Sequence, residues 1–113
     1  MQIRRTYKCL FWGSVATILL LSLMPVSAPS GFSWQDKVHH FFAYGLLCWF
    51  AVRGYGDHFS SLQIGAALIL LGLLVELAQS YTGYRYAEIA DAVANSAGII
   101  LVITMVYLRR YFK

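Results

Sequence analysis

Four apolar stretches with short polar connections between them dominate this sequence of 113 residues. They cover residues 7–24, 38–52, 62–81 and 89–108. A helix needs roughly 20 residues to cross a bilayer core of ~30 Å. The second stretch reaches that length only if the polar residues 35–40 belong to the helix. The pattern predicts one transmembrane domain over residues 1–113, with spans near residues 7–25, 36–53, 61–81 and 89–108.

The composition agrees with a membrane protein. Hydrophobic residues make up 59% of the chain and charged residues 12%, whereas soluble domains average about 25% charged residues. The mean hydropathy is +0.61. The basic residues cluster at the two chain ends rather than on one face, so no nucleic acid partner is expected. Cys9 and Cys48 lie in apolar runs without ligand spacing, which predicts no disulfide, no metal site and no cofactor.

The first stretch also resembles a secretory signal peptide, because basic residues precede an apolar core that ends in VSA. Pro29 directly after Ala28 disfavours cleavage there, and the apolar core is long. We therefore interpret the stretch as an uncleaved first helix, with the signal peptide as the alternative.

The connections are short, which favours antiparallel neighbouring helices. The sequence thus predicts an all-α protein, an up-down four-helix transmembrane bundle. Cytoplasmic loops carry an excess of Lys and Arg. With the N terminus inside, the cytoplasmic side holds seven of these residues and the outside only Lys37 and Arg85. Both termini are predicted to be cytoplasmic, and the seven inner residues are Arg4, Arg5, Lys8, Arg53, Arg109, Arg110 and Lys113.

Polar residues interrupt three of the predicted spans near the outer face. At a rise of ~1.5 Å per residue, His40, Glu76 and Asn95 each lie about 20 Å from the inner boundary. Helical periodicity places further polar or small residues on the same faces, and His39 on another. These faces are predicted to meet inside the bundle; their members are Asp36, Lys37, His40 and Tyr44, then Gly65, Gly72, Glu76 and Gln79, then Asp91, Asn95 and Gly98.

Glu76 is the residue of this set that most needs a partner. A charged side chain at the bilayer centre costs at least ~2.5–3.5 kcal/mol, and Glu76 has apolar neighbours on both sides. Its candidate partners are Lys37, His40 and Arg85. Structural roles stay open for the set: Asp36 as a helix cap, Lys37 as a boundary marker, His40 as an interfacial histidine, Arg85 and Glu88 as solvated loop residues, and Gln79 and Asn95 as helix–helix bonds.

These residues carry a family resemblance. The segments DKVHHFFAY, GLLVELAQ and YRYAEIADAVANSAG, in this order, resemble the VanZ-like family of small bacterial membrane proteins over roughly residues 22–102. The resemblance implies a bacterial cytoplasmic membrane protein and an association with resistance to the glycopeptide teicoplanin. It also implies a set of motif positions: Asp36, Lys37, His40, Tyr44, Glu76, Gln79, Arg85, Asp91, Asn95 and Gly98.

Several functions fit this pattern. The first is a binding module whose outer polar site takes a lipid headgroup or a lipid-linked envelope component, with Lys37 and Arg85 holding phosphate. The second is a membrane enzyme in which Glu76 and His40 exchange protons, although no nucleophile motif supports a reaction. The third is a structural subunit held together by the cluster, and the fourth a proton-coupled transporter. A homo-oligomer or a membrane-protein partner stays open. We favour the binding module over the enzyme, and the question of catalysis stays open.

Overall fold

The computed structural model describes residues 2–23, 34–82 and 89–111, apart from the side chains of Asp36 and Thr82. These ranges form four helices and no strand, which confirms the all-α class. The helices are α1 (Gln2–Leu23), α2 (Trp34–Tyr55), α3 (Ser61–Thr82) and α4 (Ile89–Tyr111). Each is about 33 Å long at a rise of ~1.5 Å per residue, long enough to cross a bilayer core.

Three helices, α1, α3 and α4, are long and apolar enough to cross a membrane. Their outward surfaces carry many exposed large apolar side chains, such as Leu70, Leu73 and Leu77 on α3. A surface of this kind is suited to hydrocarbon rather than to water. Helix α2 is equally long but carries Lys37, His40 and further ionisable residues. Its crossing of the membrane stays a prediction.

The turn between α2 and α3 is closed by local hydrogen bonds. The backbone N–H of Gly56 donates to the carbonyl of Val52 at 3.0 Å. Helix α3 then begins with a capping box. Ser60 Oγ accepts from the backbone N–H of Gln63 at 3.1 Å, and Gln63 Oε1 accepts from that of Ser60 at 2.9 Å. These bonds satisfy backbone donors that the helix itself leaves unpaired, so the chain reverses within a few residues.

Helix α2 lies at the centre of the packing. It contacts α4 and α1 most extensively, and α3 packs against α4 and more lightly against α2. Helix α1 contributes no buried residue and covers the outside of α2. The apolar core lies between α2, α3 and α4, and its buried members are Tyr44, Leu47, Cys48, Ala51, Ile64, Leu68 and Ile99.

The order of the contacts gives the relative helix directions. Lys37 meets Asp91 near the start of α2 and α4, and Cys48 Sγ lies 3.9 Å from the carbonyl of Ile99 further along both, so these two helices are parallel. Helix α1 runs opposite to α2, because Lys8 near its start lies 5.0 Å from the ring centroid of Tyr55, the last residue of α2. One end of the molecule therefore gathers the first turns of α2 and α4.

Two glycines bring α2 and α4 together. A Cβ atom added to Gly45 would lie 3.5 Å from the carbonyl oxygen of Gly98. A Cβ added to Gly98 would overlap the backbone carbonyl of Phe41. Small residues let helix backbones approach closely in a membrane. The contact at Gly98 sets the distance between α2 and α4, and hence the separation of the polar side chains that both helices carry within the preceding two turns.

Candidate functional site

Polar side chains from three helices converge at the end of the molecule where α2 and α4 begin. We call Lys37, His40, Tyr44, Glu76, Asp91 and Asn95 the polar cluster. Five of these residues are buried, and His40 is partly buried. The helical periodicity of the sequence predicts this convergence, since each residue lies on the inward face of its helix.

An ion pair between α2 and α4 lies at the heart of the polar cluster. Lys37 Nζ is 2.6 Å from Asp91 Oδ1, and the two side chains keep only 8% and 9% of their surface exposed. This short separation is typical of a charge-assisted contact between an ammonium group and a carboxylate. Asp91 Oδ1 has no second donor in the part of the chain that the structure describes, so the carboxylate keeps acceptor capacity.

His40 and Asn95 form a second link between the same two helices. The Nδ1 atom of His40 lies 2.8 Å from Asn95 Oδ1. With the amide oxygen facing the ring, Nδ1 is the donor, and Nε2 is the ring nitrogen that faces Asp91. Nε2 lies 3.8 Å from Asp91 Oδ2, so this contact is an ion pair when His40 is protonated. His40 keeps 18% of its side chain exposed, twice the value of Asp91.

Glu76 on α3 completes the polar cluster from the third side. A nitrogen of His40 and carboxylate oxygens of Glu76 and Asp91 all lie within 4.8 Å of one another. This is the one group among the described residues with donor atoms close enough to hold a metal ion. Asp91 is already in contact with the ammonium group of Lys37, however, and a divalent cation would have to compete with that charge.

Gly72 lets α3 approach the polar cluster. A Cβ atom at this position would lie 3.2 Å from Asn95 Nδ2 and 3.3 Å from a ring carbon of Tyr44. Any larger residue would press on both side chains. The sequence predicts Gly72 on the polar face of α3, and the structure shows that a side chain there would crowd Asn95 and Tyr44.

The remaining predicted site residues lie in different places. Gln79 is buried, and its amide donates to the carbonyl of Ser22 at 3.1 Å, so it links α3 to the end of α1. His39 is exposed on the other side of α2, as its helical position predicts. The side chain of Asp36 and the whole of Arg85 and Glu88 lie outside the described residues.

Two structural contributors do not follow from our interpretation of the sequence. The first is Gly45, the partner of Gly98; a glycine in the middle of an apolar helix is a signal that could have identified it. The second is the carbonyl of Ser22, which accepts from Gln79. A backbone acceptor has no residue type of its own, so no sequence signal reveals it.

The fold and the site together define a small all-helical membrane protein with a buried ionic and amide cluster at one end. Comparison with protein families makes the assignment more specific. The chain belongs to the VanZ/LLP1 family, whose model matches residues 4–110. This confirms the family resemblance and extends it over nearly the whole chain. No curated protein and no solved structure matches the chain.

Proposed function

We propose that the polar cluster is a binding site for the polar headgroup of a membrane lipid or of a lipid-linked component of the cell envelope. The observation that carries the proposal is the Lys37–Asp91 ion pair, buried between two helices beside the partly exposed ring of His40. The pair presents both signs of charge, and His40 is the point where a ligand from the membrane surface reaches it.

The remaining acceptor capacity of Asp91 supports a ligand rather than a purely structural cluster. Each oxygen of a carboxylate has two lone pairs and can accept two hydrogen bonds. Within the described ranges, Asp91 Oδ1 meets the Lys37 ammonium and no second donor. A ligand hydroxyl or ammonium group would supply a second donor, while Lys37 is suited to a phosphate oxygen. A headgroup that combines a phosphate with hydroxyl or amino groups fits this set.

The proposal includes the placement of the chain in a bacterial cytoplasmic membrane as a multi-pass protein. All four helices cross it up and down, α2 included, and both termini are cytoplasmic. The gathering of Arg4, Arg53, Arg109 and Arg110 at the end away from the polar cluster supports this orientation, because cytoplasmic ends are enriched in Lys and Arg. The polar cluster then opens to the outer leaflet, where cell-wall precursors and glycopeptides are found. We further propose that ligand binding there changes susceptibility to glycopeptides such as teicoplanin.

Proton transfer to a lipid-linked substrate is a second candidate function. It is favoured by one observation, namely that Asn95 holds Nδ1 of His40 and leaves Nε2 beside Asp91. A histidine whose second nitrogen is held in this way is suited to act as a general base. The near-isosteric change Glu76→Gln separates the two candidates, because it retains shape and removes the exchangeable carboxylate.

The test compares His40→Ala and Glu76→Gln with His39→Ala, an exposed neighbour on the same helix. Membrane abundance and teicoplanin susceptibility are measured in a host that expresses each variant. We expect His40→Ala to keep at least half of the wild-type abundance and to lose the change in susceptibility. His39→Ala should behave as the wild type, because it does not touch the polar cluster.

Three outcomes count against the proposal or refine it. Equal loss of abundance and of phenotype in both polar-cluster variants would favour a purely structural role. If His40→Ala still changes teicoplanin susceptibility as the wild type does, the polar cluster is not the site of this function. Loss of the phenotype in Glu76→Gln at normal abundance would favour proton transfer over headgroup binding.

A further inference from the structure

A cavity lies at the opposite end of the molecule from the polar cluster, between α1, α2 and α4. Its volume is about 510 Å³. Four arginines and one aspartate line it, which leaves an excess of three positive charges: Arg4, Arg53, Arg109, Arg110 and Asp57. This end of the molecule contributes nothing to the polar cluster, so its charge calls for a separate explanation.

Two of the four arginines are held in place by neighbours. Arg4 forms an ion pair with Asp57. The guanidinium group of Arg53 lies 5.4 Å from the ring of Tyr7 and 5.5 Å from that of Trp49, which is cation–π distance. Such contacts reduce the conformational freedom that an arginine loses when it binds an anion.

The other two arginines, Arg109 and Arg110, differ from these in their surroundings. Within the described residues, no carboxylate pairs with Arg109 or Arg110 in the last turn of α4. Some of their charge is offset by the partial negative charge at the C-terminal ends of α2 and α4. That partial charge is smaller than one elementary charge per helix, so the cavity keeps a positive excess that an anion would neutralise.

An apolar groove continues from this basic cavity along the outside of α2 and α4. Its volume is about 330 Å³, and its lining includes Phe42, Leu46 and Leu101, with the Gly45–Gly98 contact as its floor. Trp49 and Met105 line both the groove and the basic cavity. From Trp49 to Phe41 the groove follows about 12 Å of α2 at a rise of ~1.5 Å per residue. A surface that is basic at one end and apolar along its length matches a molecule with an anionic head and a hydrocarbon tail.

We propose that this continuous surface binds an anionic phospholipid. The phosphate lies among Arg53, Arg109 and Arg110, and part of one acyl chain lies in the groove over Gly45 and Gly98. Arginine forks suit phosphate oxygens, since they offer two parallel donors. Basic pockets between transmembrane helices on the cytoplasmic side bind anionic headgroups in this manner. The site is independent of the polar cluster, which lies at the other end of the same helices.

The test uses the full chain in detergent, titrated with short-chain phosphatidylglycerol and followed by its thermal unfolding temperature. Dioctanoyl phosphatidylglycerol should raise that temperature in a saturable way. Dioctanoyl phosphatidylcholine and inorganic phosphate at the same concentration should raise it by less than a quarter as much. If inorganic phosphate raises the unfolding temperature as much as phosphatidylglycerol does, the cavity is a simple anion site and not a lipid site. If phosphatidylcholine does so, the headgroup charge has no role and the proposal is wrong.

Variants then separate this site from general electrostatic attraction. The double variant Arg109→Gln/Arg110→Gln and the groove-blocking Leu101→Trp are each expected to weaken phosphatidylglycerol binding at least tenfold. Arg5→Gln removes a charge at the same end that does not line the cavity, and Leu74→Trp adds the same bulk on α3. Both should stay within twofold of the wild type.

If Arg5→Gln or Leu74→Trp weakens phosphatidylglycerol binding as strongly as its matched variant, the proposal is wrong. If the double variant does not fold, as judged by its helical circular dichroism, Arg109→Lys replaces it. This change keeps the charge but removes the two-donor fork, and we expect a threefold or greater loss of affinity. His40→Ala should leave phosphatidylglycerol binding within twofold, so failure here is distinguishable from failure of the headgroup site at the polar cluster.

Discussion

Replacing Gly98 with alanine is expected to destabilise the protein by about 1–3 kcal/mol, the usual range for added bulk in a packed site. The new Cβ atom would overlap the backbone carbonyl of Phe41. A backbone atom cannot rotate out of the way as a side chain does, so α2 and α4 have to separate. Because this contact also sets the spacing of Lys37 and Asp91, the separation should reach the polar cluster. Thermal or denaturant unfolding in detergent measures the effect.

Two other glycines serve as matched controls. Gly13 on α1 has open space where a Cβ would lie, so alanine there should be neutral or stabilising by up to ~1 kcal/mol, the gain in helix propensity. At Gly65 the added atom would overlap only the end of the Ile103 side chain, which can move. We therefore expect the free energy of unfolding to be highest for Gly13→Ala, lower for Gly65→Ala and lowest for Gly98→Ala. A Gly98→Ala protein as stable as Gly13→Ala would show that α2 and α4 are not in backbone contact.

Removing one member of the buried ion pair is the second change with a large expected effect. Lys37→Met leaves Asp91 buried without its counter-charge, and breaking a buried pair in this way costs about 3–5 kcal/mol. The double variant Lys37→Met/Asp91→Leu removes both charges and should regain most of that stability, because an apolar pair of similar volume often replaces a buried ion pair without loss. The free energies of unfolding of Lys37→Met, Asp91→Leu and the double variant together give the coupling energy between the two side chains.

The exposed pair between Arg4 and Asp57 provides the comparison. Its side chains keep 54% and 51% of their surface exposed, and exposed pairs contribute about 0–1 kcal/mol. Arg4→Gln should therefore change stability far less than Lys37→Met. Similar effects of the two substitutions would mean that the Lys37–Asp91 pair is hydrated rather than buried. A double variant no more stable than Lys37→Met would contradict the pairing itself.

Much of the fold is predictable because helix formation leaves a strong pattern in apolar segments. The four apolar stretches indicate the four helices, and helical periodicity places the polar residues on inward faces. Helix α1 nevertheless begins at Gln2, before its apolar stretch, because Gln2, Arg4 and Arg5 are good helix formers that a hydropathy pattern leaves out. Apolar patterns thus locate the membrane-buried part of a helix better than its ends.

The partners of individual side chains are harder to predict from sequence. His40 and Asn95 are predicted at the same depth, and they are in hydrogen-bond contact. Their depth depends only on the helix rise, which is constant. Gln79 instead bonds to the carbonyl of Ser22 on α1. Which helix lies beside Gln79 depends on packing over the whole molecule, and a single sequence carries no direct information on it.

The basic cavity and the apolar groove are likewise hard to predict from sequence. Arginines at helix ends are predictable as orientation signals. Their common cavity is not, since it needs α1, α2 and α4 in specific positions together. The contact between Gly45 and Gly98 that forms the groove floor likewise joins residues on two helices distant in sequence.

The central claim is that the polar cluster holds a headgroup, and native mass spectrometry of the protein purified from bacterial membranes tests it most directly. The wild type and Arg109→Gln/Arg110→Gln, which leaves the polar cluster unchanged, should both retain a lipid or lipid-linked molecule of defined mass. His40→Ala should lose that molecule. A wild type that retains no such molecule, or a His40→Ala protein that keeps it, would contradict the claim.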